Sequence, residues 1–393
     1  MHAHSVLQKC LSDVLMRMHA MRVQVLLGAV HALLASRRLV LMELARAWPG
    51  AETIRAPLKR VDRLLSNPHL QGEMRGLYAA MARWLVRGTE PLIVVDWSAL
   101  KQDESLHVLR AGVVLQGRTL TVFEQVYPQC ELGSQRAHRR FLHGLQQVLP
   151  RQVRPILLTD AGFRCPWYRE VEALGWHWIG RVRSHACVKL PGSSRWQFTR
   201  TLLVRERKLR VFGTVRLAKH QPFVCQLLRF CRTLRGRKHR TCDGQVRRDP
   251  VSRKAARGMR EAWLLAYSNS LQSISAARIA AGYSKRMQIE QSFRDLKSGR
   301  YGCALRYSLT RAAPRMRVLL LLHALASFVA WLVGLAASHA KQVTHCLVRI
   351  PTRRGHYSLL RIGWEALRRA QPPPLSTTQI IRLVATLIPI ATV

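Results

Sequence analysis

Two apolar runs, each closed by an aspartate, constrain the fold of this chain more than any other feature: Leu92-Ile93-Val94-Val95-Asp96 and Ile156-Leu157-Leu158-Thr159-Asp160. A short continuous apolar run suits a strand buried on both faces, and such a strand needs helices packed over its sheet. The residues around them fit that layout. Residues 106–114 and 118–127 read as an antiparallel pair joined at Gln116-Gly117. A helix is expected at about 135–149, closed by Pro150, then a strand at 155–159, a helix from Pro166 to about Leu174, and a strand at 177–183. Strands paired antiparallel at first and then linked through helices predict a mixed sheet covered by helices, an α/β fold.

The flanks have a different character. Residues 1–90 read as helical, with apolar positions Val23, Leu27, Val30 and Leu34 at helical spacing. Residues 41–48, a Pro49-Gly50 break and a second helix to about Ser66 resemble a helix-turn-helix layout, and the second helix carries Arg55, Lys59, Arg60 and Arg63. An ordinary helical bundle fits the same pattern. Within 185–262, short apolar runs at 202–204, 210–212 and 223–229 look like strands. They lead into Arg232–Arg260, with eleven Lys+Arg against two Asp, which reads as a solvated loop. A core strand is expected at Trp263–Tyr267, then helices at 274–297, 311–338, 357–369 and 377–388, the last two separated by Pro372-Pro373-Pro374.

Charge narrows the function. The 393 residues hold 64 Lys+Arg against 21 Asp+Glu, a formal net charge of +43, yet 48% are hydrophobic. A folded polycation draws polyanions to its surface, and nucleic acid is the expected partner, with binding that weakens as salt rises. Nine cysteines in irregular spacing, with no C-x-x-C, argue against a disulfide framework or a structural zinc site. The N-terminus lacks a signal-peptide pattern. Residues 318–340 carry no Asp, Glu, Lys or Arg and are long enough to span a bilayer, but they suit a buried core helix equally well. The core-helix reading, with no membrane partner and a cytoplasmic location, is the expectation.

Against so much base, the placed acids matter. Asp96 and Asp160 are expected at strand ends, where open α/β sheets gather ligands. An ionised carboxylate after an apolar run needs a partner or a metal. A turn or a helix cap is the plain alternative for each, and Asp160-Ala161-Gly162 reads naturally as a turn. In the helix expected at 274–297, Tyr283, Arg286, Glu290 and Lys297 stand three, four and seven residues apart. At 100° per residue those steps keep all four on one face, where a carboxylate flanked by a phenol and two cations suits a phosphate backbone. A solvated face with an Arg286–Glu290 pair is the alternative there.

The segment from Tyr283 to Lys297 fits Y-x2-R-x3-E-x6-K, and Val95-Asp96-Trp97-Ser98 and Thr159-Asp160-Ala161-Gly162-Phe163 precede it in order. Together these resemble the motifs of the bacterial cut-and-paste transposases of the insertion-sequence-four family. The resemblance covers most of residues 20–330 and is weakest across 186–262 and after about 340. It implies a ribonuclease-H-like mixed sheet with flanking helices and a strand-rich insertion. The expected divisions are a helical DNA-end-binding region at 1–90, catalytic segments at 91–184 and 263–340, a basic insertion at 185–262, and a helical C-terminal region at 341–393. It implies a metal site of Asp96, Asp160 and Glu290 for Mg²⁺, with Mn²⁺ substituting, and phosphate contacts from Tyr283, Arg286 and Lys297. A tryptophan that stacks on a flipped base is also implied, with Trp263 the candidate and Trp196 the alternative. The partners implied are double-stranded transposon ends, target DNA and a second copy of the chain in a synaptic complex in the bacterial nucleoid. The rivals are a metal nuclease without strand transfer and a DNA-binding protein without catalysis.

Overall fold

The computed structural model describes residues 3–115, 117–203, 209–231, 249–250, 262–339 and 357–368, and positions 376, 378–379 and 382–384. The expected basic run at 232–260 lies outside the described residues apart from 249–250, and of the expected helix at 377–388 residues 378–379 and 382–384 are described and helical.

In chain order the helices and strands are α1 (Ala3–Cys10), α2 (Ser12–Leu15), α3 (Ala20–Ser36), α4 (Leu41–Arg46), α5 (Arg55–Leu65), α6 (Pro68–Leu85), β1 (Leu92–Ala99), β2 (Leu106–Val114), β3 (Thr119–Pro128), α7 (Gln135–Val148), β4 (Ile156–Thr159), α8 (Cys165–Ala173), β5 (His177–Arg181), β6 (Cys187–Lys189), β7 (Gln197–Phe198), β8 (Arg210–Leu217), β9 (Phe223–Phe230), β10 (Trp263–Tyr267), α9 (Ala276–Ser284), α10 (Gln288–Lys297), α11 (Ala313–His339) and α12 (Leu359–Arg368). The chain divides into two compact units, one of residues 1–155 and 287–392, the other of residues 156–286.

In the first unit β1, β2 and β3 form an antiparallel meander in the order β3-β2-β1. Leu92 to Val95 are buried, as the apolar run requires. Helix α7 begins where expected because the Ser134 hydroxyl accepts the Ala137 N–H, which satisfies a first-turn donor. Asn67 caps α6 the same way, through Leu70. The core is built on α11, which is apolar all round and buried at every position from Val318 to Ala337. It packs against α3, α12 and β3. By length and composition it could cross a membrane, but protein covers its apolar stretch completely. Its closest neighbour is α12: a Cβ on Gly334 would lie 1.8 Å from the Leu359 carbonyl oxygen, and one on Gly363 would lie 1.6 Å from that of Ala330. Paired glycines are what lets the two backbones touch.

The second unit holds a mixed sheet in the order β4-β5-β10-β9-β8-β6-β7. β4 and β5 are parallel, linked by α8, and the pairs beyond them are antiparallel. Tyr168 of α8 stacks on Trp178 of β5 with ring centroids 3.8 Å apart, and its hydroxyl occupies the space above Gly180.

Four sequence expectations need correction. β1 runs on to Ala99, so Asp96 lies within the strand and not at its end. In the run expected as a strand at 202–204, Leu202 closes a short 3₁₀ turn of Thr199–Leu202 and Leu203 is outside any strand. Residues 47–54 separate α4 from α5, a longer connection than the three or four residues of a helix-turn-helix. Most consequential, the helix expected at 274–297 is broken by a 3₁₀ turn at Lys285–Met287. The Ser284 hydroxyl donates to the Ala280 carbonyl at 2.9 Å, a back-bond that competes with the helical ladder just before the break. The continuous α-helix expected to carry all four residues is therefore interrupted between Tyr283 and Glu290.

Candidate active site

Asp96 sits where β1 changes from buried to half-buried. Its cross-strand partner is Arg110 on β2, and the partner of Arg110 on β3 is Glu124. Directly opposed residues project from the same face of a sheet, so acid, base and acid alternate across the three strands. Arg110 is 1% exposed. Its Nε donates to Glu124 Oε2 at 2.7 Å, and Glu124 Oε1 accepts the Tyr78 hydroxyl at 3.0 Å. The ring of Phe293, on α10, lies over the Arg110 guanidinium with 5.0 Å to its centroid. Sequence reasoning missed this ladder. Its signal was a lone arginine inside the largely apolar run of β2.

α10 is fastened over this meander. Ser292 Oγ donates to the Thr119 carbonyl at 2.7 Å, and Arg118 Nε donates to Asp295 Oδ2 at 2.6 Å. Lys297, in the last turn, donates from Nζ to Ser98 Oγ at 2.5 Å, two residues beyond Asp96. Burial pushes its ammonium down to about 8, helped by Arg110 and Arg306 and opposed by Asp96. Glu290 is in the first turn of the same helix, exposed, where the helix dipole favours an anion. A step of seven residues puts Glu290 and Lys297 within about 20° of each other around the helix.

Asp160, Trp263, Tyr283 and Arg286 belong to the second unit. Asp160 directly follows β4, as expected, and its Oδ1 accepts the Gly162 N–H at 2.8 Å. That is the turn the sequence allows; a Cβ on Gly162 would lie 2.8 Å from the same oxygen. Arg183 Nε ties the turn down by donating to the Ala161 carbonyl at 2.5 Å. Trp263 begins β10, half-buried, and meets the Tyr283 ring edge to face with centroids 5.4 Å apart. Tyr283 is 2% exposed, and Arg286 lies half-buried in the 3₁₀ turn.

The acids are thus divided, Asp96 and Glu290 in one unit and Asp160 in the other. Among the described residues, neither unit gathers three His, Cys, Asp or Glu side chains in a group able to hold a metal ion. The donors themselves are carboxylate oxygens, the type that Mg²⁺ and Mn²⁺ take. A model of the transposase DDE domain matches residues 87–327, more than half of the chain. The chain belongs to that family. No curated protein matches it. As a DDE transposase it falls among enzymes that cleave and transfer DNA strands with a divalent metal, and DNA is its partner. All seven candidate residues lie inside the matched span of the transposase, while α5 precedes it and α12 follows it.

Proposed function

We propose that this transposase binds the terminal inverted repeats of its own element and moves it by cutting and pasting, with Asp96, Asp160 and Glu290 as the catalytic carboxylates. The reading places the chain in the insertion-sequence-four branch, near the transposase of the tetracycline-resistance composite transposon, with a ribonuclease-H-like catalytic core. The antiparallel β1–β3 meander and the parallel β4–β5 pair are each consistent with such a core. The observation that carries the proposal is the clamp between α10 and β1. The Lys297–Ser98 hydrogen bond fastens the helix of Glu290 to the strand of Asp96, although the two acids are far apart in sequence.

The three carboxylates would hold the divalent cations, Mg²⁺ with Mn²⁺ able to replace it. Bound there, two cations supply activation of the attacking oxygen and stabilisation of the leaving oxygen. The chain's own cations do the rest. Lys297 and Arg286 grip phosphates of the end DNA, as a point charge and a fork respectively. Tyr283 shapes the contact by supporting Trp263, whose ring is offered to a flipped base. The order of reaction is nicking to free a 3′-OH, hairpin formation, hairpin opening, and joining to target DNA, in a synaptic complex of two copies at the nucleoid.

Incubating the wild-type chain with the DNA that flanks its gene, a target plasmid and Mg²⁺ or Mn²⁺ tests the whole sequence. Joined products are expected. Cut ends that never join would instead indicate a nuclease, and binding without cutting a non-catalytic DNA-binding protein.

A further inference from the structure

The first unit contains a cavity of about 290 Å³ whose wall includes Arg37, Arg118, Arg294 and Arg361, with Asp295 and His323. These residues come from the C-terminal cap of α3, the loop before β3, α10, α11 and α12, so only the fold unites them. Two carboxylates serve the four guanidinium groups. Asp295 pairs with Arg118 at 2.6 Å. Glu365 is shared, 3.6 Å from Arg37, 2.8 Å from Arg361 and 4.0 Å from Arg368. A carboxylate carries one charge, so the cluster keeps a surplus of positive charge within a partly buried wall. Burial and the nearness of Arg361 hold the Arg37 guanidinium below its usual range. Such a group is stabilised by an opposite charge within a few ångströms.

Among the described residues, Asp295 and Glu365 are the carboxylates that form ion pairs with arginines of this wall. The undescribed residues of the unit, which include 340–356 and 385–392, contain no Asp or Glu. A second observation points into the same space. His323 is 5% exposed, and its Nδ1 has no hydrogen-bond partner among the described residues, although it belongs to the cavity wall. A buried polar atom without a partner is costly unless something fills that role.

We infer that this cavity is a phosphate-binding site, in which the forks of Arg294 and Arg361 and the ring of His323 receive a phosphate group brought by a free anion or by a DNA backbone. Guanidinium forks match tetrahedral oxyanions through paired hydrogen bonds, and a neutral imidazole can donate one more. The site shares no residue with the proposed acid triad, so its test is separate from that of cleavage.

The full chain is titrated with inorganic phosphate at constant ionic strength, with chloride as balance, while calorimetry and thermal unfolding are followed. Saturable binding is expected, weakened at least tenfold by the paired change Arg294→Gln and Arg361→Gln. Arg294→Lys, which keeps the charge and loses the fork, is expected to fall between. A short duplex in the same titration identifies the source: displacement of phosphate by duplex assigns the site to a DNA backbone, and simultaneous binding assigns it to a free anion. If the paired variant does not fold, the wild-type titration and Arg294→Lys decide. Phosphate binding of equal strength in wild type and folded variants would overturn the inference. So would the absence of any saturable phosphate response in the wild type together with unchanged duplex affinity in Arg294→Lys.

Discussion

Lys297 donates from Nζ to Ser98 Oγ across 2.5 Å, and that contact locks the last turn of α10 onto β1 two residues past Asp96. It also explains the depressed ammonium, since holding the lysine there removes it from water beside Arg110. With a value of about 8, Lys297 is cationic at neutral pH and loses its charge as pH rises through that value. Affinity for end DNA is therefore expected to fall between about pH 7 and 9 in the wild type. Lys297→Arg, which stays charged, flattens that profile, and fluorescence anisotropy across the range checks it. Stability should move the other way. The unfolded lysine titrates near ~10.4 and binds more protons than the folded one from about pH 8 upward, so stability rises with pH in that window.

Arg110 and Glu124 form an ion pair with side chains 1% and 2% exposed. Removing one partner strands the other without solvent, so Glu124→Gln is expected to cost on the order of 3–5 kcal/mol in denaturant unfolding. The double change Arg110→Met, Glu124→Leu should recover most of that loss. Recovery would separate the ladder's electrostatic role from simple packing.

The α11–α12 crossing has no room for a methyl group. At Gly363 the obstacle is the Ala330 backbone, 1.6 Å from an added Cβ, and backbone yields less than a flexible side chain. Gly363→Ala should destabilise the first unit at or above the upper end of ~1–3 kcal/mol for overpacking. Limited proteolysis should then cut near α12 sooner than in the wild type.

On α5, Arg55, Lys59, Arg60 and Arg63 are exposed while Val61, Leu64 and Leu65 are buried. If this face meets phosphates, each change to Gln lowers DNA affinity and reduces the salt slope by about one per contact, roughly 0.9 for duplex. Thermal unfolding should barely change, since none of these four side chains supports the core.

Burial was legible in the sequence wherever it followed a repeating pattern. The run ending at Val95, the β2–β3 pair, β10 and the all-apolar α11 could each be read from apolar spacing alone. Asp160 could be read both as a strand-end acid and as a turn-former, and it is both. What escaped was set by single polar contacts. Helical spacing joined Tyr283 to Lys297, and nothing in it announced the Ser284 back-bond ahead of the break between α9 and α10. The Asp96–Arg110–Glu124 ladder depends on strand register, which a linear reading does not fix. The arginine cavity collects residues 37, 118, 294 and 361, and only tertiary packing reveals that they are neighbours.

Under the proposed function, Asp96, Asp160 and Glu290 act together on a phosphodiester. Single-turnover cleavage of end DNA by Asp96→Ala, Asp160→Ala and Glu290→Ala, with Mg²⁺ and with end binding measured in parallel, tests it most directly. All three variants should keep end binding and lose cleavage to a similar floor, because removing any member disables a unit that acts as a whole. Cleavage near the wild-type rate in a folded Asp160→Ala or Glu290→Ala protein would contradict the account.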